Sequence, residues 1–235
     1  MNKYELTTET LQFAGRTLHR IKAVKDFGSI KAGEFGGYIE NEKNLSQDDN
    51  AWIYGEAMAI GNARVFGNAK ILGNAHIFGN AKVFDSARVY DDARVYDDAI
   101  VHNNARIYDN AIVYDNAIVS DYAEVCENAK VCDDADVYGL TRIFGNAKIF
   151  GNATIKGDAK VYDAVDYIVF KNFWSSGRYF TWTRSNNKWS VGCFYGTGEE
   201  LIKKAYADSV KSGREYERVV RYVESILADE KEKMN

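Results

Sequence analysis

The chain contains no proline among its 235 residues, although average usage would give about a dozen. Proline cannot donate to a ladder of backbone hydrogen bonds, so its absence suits a chain built of strands and helices. No run of about 18 apolar residues occurs, and the first residues, MNKYELTTET, lack the apolar stretch of a secretory leader. We therefore expect no membrane association.

Cysteine and histidine are also scarce, with three residues of each. An odd number of cysteines without metal-ligand spacing is typical of a reducing compartment, so we expect a cytoplasmic protein. The net charge of −4 and the pI of about 5.5 argue against a chain whose main task is to neutralise nucleic-acid phosphates. Nucleic-acid binding stays an alternative because basic and aromatic residues are interleaved in parts of the chain.

A six-residue repeat runs without insertion from Asp49 to Tyr162 and gives 19 hexads, such as GNARVF and DDARVY. The third position is Ala in 18 hexads and Thr141 in the other. The fifth position is Ile or Val in all hexads except the one that has Ala59. The first is Gly or Asp in 17 hexads, and the second is mostly Asn or Asp.

Each hexad has the two-residue alternation of a short strand at its third to sixth positions. Small Ala and β-branched Val or Ile would fill a narrow interior, while Arg or Lys at position four and aromatic rings at position six would point outward. Gly, Asn and Asp tolerate a positive φ, so the chain can turn at positions one and two. Stacked hexads would then share one continuous core.

The hexads resemble the hexapeptide-repeat left-handed parallel β-helix, in which a small residue precedes an aliphatic one by two positions, as in Ala63–Val65 and Ala69–Ile71. This resemblance implies left-handed coils of three hexads each, and about six coils. The stretch LHRIKAVKDFGSIKAGEFGGYIENEKNLS before the first hexad is similar to the start of uncharacterised phage and prophage solenoid proteins. Some relatives of those proteins are labelled acyltransferases.

The sequence predicts three parts: an N-terminal cap (1–48), the hexapeptide β-solenoid (49–162) and a C-terminal α+β domain (163–235). In the last part, DYIVFKNFW, GRYFTWTRS and KWSVGCFYG predict three strands. Thr197 with Glu200, and Ser212 with Glu215, predict capping boxes for two helices. An apolar face is expected on the second helix, and we expect its last seven residues to be frayed.

Coils of three hexads would stack Lys70, Arg88 and Arg106 on one face, and His76 and Arg94 on the next. On the third face Lys82 would stack with Ile100, and Phe84 with His102. Contiguous aromatic and basic area is seldom left open, so we predict an interface with a protein partner, and a homo-oligomer through the same rings. In the C-terminal domain, Trp174 and Arg178 are predicted to form an exposed pair at a turn. The candidate binding residues are therefore Arg88, Tyr90, Arg94, Tyr96, Arg106, Tyr108, Tyr114, Trp174 and Arg178.

Three kinds of chemistry are weighed against simpler interpretations. Acyl transfer by His76 or His102 is suggested by the family resemblance, but no loop interrupts the hexads and both residues fit as surface substitutions. The Asp-rich turns could hold calcium, yet Asp also supplies turn geometry, and we predict no metal. Cys126 and Cys132 are expected to be small outward residues rather than metal ligands.

The sequence therefore predicts a non-enzymatic binding protein that has no catalytic residues and no cofactor. By analogy with the phage proteins it would be an accessory protein that engages a host macromolecule, such as a defence factor, in the host cytoplasm. The alternatives are a hexapeptide acyltransferase that uses acyl-CoA and a nucleic-acid-binding protein.

Overall fold

The computed structural model of the chain describes residues 2–234, with side chains through Lys233, and divides them between Ala164 and Val165 into two compact units. The boundary predicted from the sequence lies two residues earlier. No helix in this described range is long and apolar enough to cross a membrane.

The first unit begins with an antiparallel hairpin of β1 (Tyr4–Phe13) and β2 (Arg16–Ala23). Strand β3 (Phe35–Ile39) pairs with β2, and a 3₁₀ turn follows at Glu42–Asn44. An N-terminal cap was predicted for this part of the chain, but strand β1 was not. Strand β1 was missed because its sequence is polar, and most of its residues are exposed or only partly buried.

Nineteen two-residue strands follow, one for each hexad, and they stack as three parallel sheets. Face I contains seven of them: β4 (Trp52–Ile53), β7 (Lys70–Ile71), β10 (Arg88–Val89), β13 (Arg106–Ile107), β16 (Glu124–Val125), β19 (Arg142–Ile143) and β22 (Lys160–Val161). Face II contains six: β5 (Met58–Ala59), β8 (His76–Ile77), β11 (Arg94–Val95), β14 (Ile112–Val113), β17 (Lys130–Val131) and β20 (Lys148–Ile149). Face III contains the other six: β6 (Arg64–Val65), β9 (Lys82–Val83), β12 (Ile100–Val101), β15 (Ile118–Val119), β18 (Asp136–Val137) and β21 (Thr154–Ile155).

The predicted interior is confirmed. The alanines at position three and the Val or Ile side chains at position five are at most 1% exposed. Each coil hydrogen-bonds to the next through its backbone, as in Arg88 N to Ala105 O (2.9 Å) and Tyr90 N to Ile107 O (3.0 Å). Strand partners in neighbouring coils, such as Val89 and Ile107, are three hexads apart, as the resemblance implied.

The stack has about seven turns, whereas the sequence predicted about six. The additional turn comes from Ile39 of β3, which pairs with Ala59, and from Leu45, which bridges to Val65. Each of these pairs is separated by two positions more than three hexads, because the segment between Leu45 and Ile53 is two positions longer than a hexad. That insertion breaks the period of six and hides the first turn from a search for hexads.

The corners explain the choice of Asp, Asn and Glu at position one. From Asp85 to Asp133 these residues adopt φ of 55–58°, which supports the prediction that they supply turn geometry. Their carboxylates also accept the amide of the same corner one coil further on, as in Asp109 Oδ2 with Glu127 N (3.0 Å) and Glu127 Oε2 with Gly145 N (2.9 Å). Most of the corner carboxylates therefore satisfy a backbone donor that the turn exposes.

Side chains of the N-terminal segment donate hydrogen bonds to backbone carbonyl groups of the first three hexads. Lys3, which is 1% exposed, donates through Nζ to the carbonyls of Asp49 (2.8 Å) and Ala51 (2.9 Å). Burial lowers the pKa of its ammonium group to about 8. Asn44 likewise donates through Nδ2 to the carbonyls of Gly61 (3.0 Å) and Ala63 (2.8 Å).

The second unit is a four-stranded antiparallel sheet with two helices. After a 3₁₀ turn at Ala164–Asp166, the elements are β23 (Tyr167–Lys171), β24 (Tyr179–Thr183), β25 (Lys188–Val191), β26 (Phe194–Gly196), α1 (Gly198–Asp208) and α2 (Val210–Met234). Three strands were predicted. The segment KWSVGCFYG forms two strands because Gly192, with φ of 53°, turns the chain between them.

One of the two helix-start predictions is confirmed. The capping box of Thr197 and Glu200 stands at the start of α1. The second prediction is wrong, because α2 begins at Val210 and the Ser209 hydroxyl accepts the amide of Ser212 (3.1 Å). The predicted fraying is also wrong up to Met234, since α2 continues to that residue, and Asn235 lies outside the described residues.

Candidate functional site

Face I carries the first predicted row. Lys70, Arg88 and Arg106 are direct neighbours in the register of its strands, which confirms the predicted stacking. The rings of Tyr90 and Tyr108 lie parallel beside them, with centroids 5.0 Å apart and planes 1° apart. Arg106 is 3.4 Å from the Glu124 carboxylate, whereas Arg88 has no ion-pair partner within residues 2–234.

Face II carries the second predicted row, in which His76, Arg94 and Ile112 are neighbours, again as predicted. Phe78 stacks on Tyr96 (4.6 Å, 9°), and Tyr96 stacks on Tyr114 (5.2 Å, 18°). The two rows of candidate residues therefore lie on different faces of the solenoid.

The tyrosine rings are half-buried against one another. Burial is the main cause of the raised pKa of Tyr90, Tyr96 and Tyr108, while a hydrogen bond with the Cys132 thiol is the first cause for Tyr114. Because these rings stack directly on one another, no gap is left between them for a planar base to enter. The sides of the ladders present ring edges and hydroxyl groups at the surface.

Cys126 and Cys132 lie in the outer row, where their thiols contact Arg142 and Tyr114, but they are buried there, at 0% and 1% exposed. Their larger neighbours cover them, as Arg142 Nη2 lies 3.9 Å from Cys126 Sγ and Tyr114 contacts Cys132. The ligand atoms of Asp115, Cys132 and Asp133 lie within 4.8 Å of one another. Each carboxylate also accepts a backbone amide of the next coil, so both acidic residues have a structural role at their corners.

In the second unit, the prediction of an exposed pair is wrong for Trp174. Its ring is half-buried in the core, edge-on to Tyr216 (5.1 Å) and Phe180 (6.1 Å). Its Nε1 atom is buried with no hydrogen-bond partner in the described part of the chain. Arg178 is exposed as predicted, but the exposed ring at this turn belongs to Phe173, at 82%.

The sequence analysis missed an exposed pair on the solenoid, Tyr122 (61% exposed) and Leu140 (68%). Both stand at position two of their hexads, where every other hexad has Asn, Asp, Ser or Glu. They are three hexads apart and therefore occupy one corner in successive coils. We call this pair the corner patch; the departure from the repeat was the signal that could have revealed it.

The corner patch borders face I. A shallow cleft of about 300 Å³ beside it is lined by Arg106, Glu124 and Arg142 together with Asn104, Thr141 and Lys160. Thr141, the one exception to Ala at position three, is 1% exposed and its hydroxyl has no hydrogen-bond partner within residues 2–234. Three departures from the repeat thus coincide at one place on the solenoid.

The His76 side chain is partly buried and is covered by the N-terminal hairpin. Phe13, at the tip of the β1–β2 hairpin, lies edge-on to its imidazole at 5.1 Å. Burial, and then the charge of Arg94, lower the pKa of this histidine, with Asp92 acting in the opposite direction. His102 lies on face III, stacked on Phe84 at 5.0 Å, so the two histidines are on different faces as predicted.

Comparison with known proteins supports the repeat. A family model described as the YdcK β-solenoid repeat matches residues 87–103 and 105–121. One relative, from Escherichia coli strain K12, is 36% identical over 64 residues and is named an uncharacterized acetyltransferase, YdcK. The match covers 24% of this chain and 20% of that protein, so the chain spans about a fifth of the length of the relative. The shared feature is the β-solenoid repeat.

Proposed function

We propose that the protein is a non-enzymatic binding protein whose face I engages a segment of a partner protein that carries acidic and apolar side chains. The observation that supports this most is the corner patch. Tyr122 and Leu140 replace polar turn residues with large side chains that are more than half exposed, and neither gains burial from the solenoid itself. Apolar area of this kind is favourable when a partner covers it.

The charged residues beside the corner patch favour one kind of partner segment. Arg88, Arg106 and Arg142 lie on the same face, and Glu124 is paired with only one of them, at 3.4 Å. A surface with an apolar centre and an arginine border fits acidic side chains around an aliphatic or aromatic anchor. The stacked rings of Tyr90 and Tyr108 extend this surface along the solenoid.

Nucleic-acid binding is supported less well. The ring faces in the ladders are already stacked at 4.6–5.2 Å, so they offer no platform for bases. Acidic residues stand at the corners beside the basic rows, and the net charge is −4. Both features reduce the attraction for a polyanion.

The setting we propose is the cytoplasm, and the host cytoplasm if the chain is a phage accessory protein that inhibits a host factor. Support comes from the resemblance of the segment before the first hexad to phage solenoid proteins, and from free thiols at Cys126, Cys132 and Cys193. We also propose that the protein forms a homo-oligomer, because basic rows and acidic corners on one surface are mutually complementary.

The test uses the full chain as bait and two variants. Tyr122→Asn with Leu140→Asn restores the repeat pattern, so folding should be preserved while the corner patch is removed. Arg94→Gln changes an exposed side chain on face II, away from the corner patch, and is the control. A protein captured from host lysate is then purified and titrated by calorimetry against all three forms.

We expect the double variant to weaken binding at least about 10-fold and the face II control to leave it unchanged. Equal affinity for all three forms would overturn the role of face I. Binding to an oligonucleotide that falls steeply with salt would replace the proposal by nucleic-acid binding. Release of coenzyme A thiol from acetyl-CoA, lost in His76→Ala or His102→Ala, would replace it by acyl transfer.

A further inference from the structure

A second recess lies on face II, away from the corner patch. The tip of the β1–β2 hairpin reaches over the outward side of this face and encloses a cleft of about 630 Å³. Its walls include Phe13 from the hairpin and Ile60, His76, Phe78 and Arg94 from the solenoid. This volume is within the range of sites that hold small organic ligands.

The cleft is preformed. Arg16 at the hairpin tip donates to both carboxylate oxygens of Glu40 (2.8 and 2.9 Å). Glu40 also accepts the amide of Gly61 (2.6 Å), and this bond is the main cause of its lowered pKa. Beneath the hairpin, Phe13 and Phe78 pack on a buried cluster of Leu18, Tyr38, Met58 and Ile60. A ligand would therefore bind without the cost of ordering a loop.

The polar side chains that line the cleft are those of Arg16, Asn62, His76, Asn80 and Arg94. Asn62 donates to the side-chain oxygen of Asn80 (3.1 Å). Arg16 is already paired with Glu40, whereas Arg94 is exposed and has no ion-pair or hydrogen-bond partner within residues 2–234. The His76 side chain likewise has no hydrogen-bond partner in that range. Because its pKa is lowered, the imidazole is neutral near pH 7 and can donate one N–H.

The apolar walls of the cleft are formed by Phe13, Ile60 and Phe78. Phe13 stands edge-on to His76, and Phe78 is backed by Tyr96 at 4.6 Å, so neither ring can turn away easily. Ile60 is 5% exposed and closes the floor. Two acidic groups beside the cleft are already hydrogen-bonded. Asp92, which acts on the pKa of His76, accepts from Asn74 (3.0 Å), and Asp98 accepts from Asn80 (3.1 Å).

We propose that this cleft binds a small organic anion, with its carboxylate or phosphate group on Arg94 and its aromatic or aliphatic body between Phe13 and Phe78. The site is independent of the face I function proposed above. Carboxylate and phosphate share the chemistry that Arg94 recognises, a planar or trigonal array of acceptor oxygens with negative charge. The apolar walls exclude fully hydrophilic anions.

The chain supplies its own control. Arg88 occupies the same place in the hexad DSARVY that Arg94 occupies in DDARVY, but on face I. The recess at Arg88 is about 370 Å³, is lined by Leu72, Tyr90, Asp91 and Arg106, and receives no residue from the hairpin. The two arginines share the solenoid context and differ in the cover above them.

The experiment titrates 1-naphthylacetate, 1-naphthyl phosphate and the uncharged 2-(1-naphthyl)ethanol into the full chain, by calorimetry and by proton NMR of the His76 ring. About 14 heavy atoms at drug-like ligand efficiency predict a Kd of about 1 mM or tighter for at least one anion. Whichever anion binds more tightly identifies the head group. Its charge should raise the His76 pKa in the complex.

We expect Arg94→Gln and Phe13→Ala to weaken binding of the preferred anion at least about 10-fold, and Arg88→Gln to leave its Kd unchanged. The alcohol should bind to the unaltered chain at least about 10-fold more weakly than this anion. Arg94 is exposed, so its variant should keep the fold. The proposal is overturned if neither anion saturates the protein up to about 10 mM, a concentration well above the expected Kd. Binding that is equal for the alcohol, or that is lost equally in Arg88→Gln, would also overturn it.

Discussion

Residues 85–90 and 91–96 are neighbouring hexads with nearly the same sequence, DSARVY and DDARVY, and they end in different surroundings. Arg88 and Tyr90 lie on face I, which the N-terminal hairpin leaves open. Arg94 and Tyr96 lie on face II, where Phe13 and Arg16 from the hairpin stand over the same outward rows. One hexad contributes to an open surface and the other to a cleft.

The difference shows that the repeat determines the coil but not the site. Ala and Val at positions three and five are buried equally in both hexads. What distinguishes them is the β1–β2 hairpin, which comes much earlier in the chain and is seated on the first turn by β3. Function in a regular solenoid is therefore expected where a non-repeating segment covers a face or where the repeat itself is broken.

The largest effect on the difference between the two faces is expected from Gly37→Val, which disturbs the strand that attaches the hairpin over face II. A Cβ atom at Gly37 would overlap the carbonyl oxygen of Ala57 and approach Ile53 Cγ2 at 2.7 Å, so β3 would have to leave the first turn. We expect a loss of about 3 kcal/mol in the free energy of unfolding, at the upper end of overpacking effects. Urea unfolding followed by circular dichroism measures this loss.

The control for this variant is Gly15→Asn at the hairpin tip, where nothing lies within 4 Å of an added Cβ and Asn tolerates the φ of 76°. It should change the unfolding free energy little. If Gly37→Val were as stable as the control, β3 would not depend on close approach to the solenoid, and the cover of face II would need another explanation.

A smaller effect is expected inside the corner region of face I. Thr141→Ala removes a buried hydroxyl that has no hydrogen-bond partner within residues 2–234 and restores the alanine of the repeat. We expect a gain of about 1 kcal/mol in the free energy of unfolding. The reverse change at the same place one coil earlier, Ala123→Thr, should destabilise by a similar amount.

Chemical denaturation of the two variants checks this pair. A loss of stability in Thr141→Ala would mean that the hydroxyl makes a favourable contact. In that case Thr141 would stabilise the fold. Its presence in place of Ala would then not indicate that stability is lost in favour of a binding surface.

The smallest predicted effect is on the pH dependence of stability, and it tests whether the hairpin shields His76 on face II. The pKa of His76 is lowered in the fold, by burial first, so between pH 7 and 5 the unfolded chain gains a proton that the folded chain resists. This residue therefore contributes stability above an unfolded pKa of about 6.5, and the contribution is lost as the pH falls. Denaturant midpoints measured at pH 7 and 5 report the change.

His76→Gln should flatten this pH dependence, and Phe13→Ala should flatten it partly because the imidazole gains solvent. Glutamine keeps the size and a donor without titrating in this range. An unchanged slope in both variants would show that the hairpin does not shield His76, which would weaken the case for an enclosed cleft.

Much of the fold was predictable because one period controls it. The positions of Ala, Val and Ile follow from the period of six. The coil of three hexads, and with it the stacking of Arg88 on Arg106, follows from the resemblance to the hexapeptide-repeat β-helix. The first turn was not predictable, since two additional residues before Ile53 break the period. Burial of Cys126 was missed because a small side chain is covered by its larger neighbours, which the hexad pattern does not record.

The binding surfaces were predictable only in part. The columns of arginine and tyrosine follow from periodicity, but periodicity does not say which column is covered. The enclosure of His76 depends on the long-range position of Phe13, and the packing of Trp174 depends on Tyr216 in α2. Tyr122 and Leu140 were visible in the sequence as exceptions, and attention to exceptions would have found them.

The corner carboxylates have a consequence for how such a chain can change in length. Most of them accept an amide one turn onward, so a block of three hexads carries acceptors for its successor and donors for its predecessor. Removing residues 91–108 would place Asp109 directly after Tyr90, with equivalent partners restored on both sides. Such a solenoid can be shortened or extended by whole turns, and the distance between two surfaces on it can vary in steps of about 4.8 Å without a new fold.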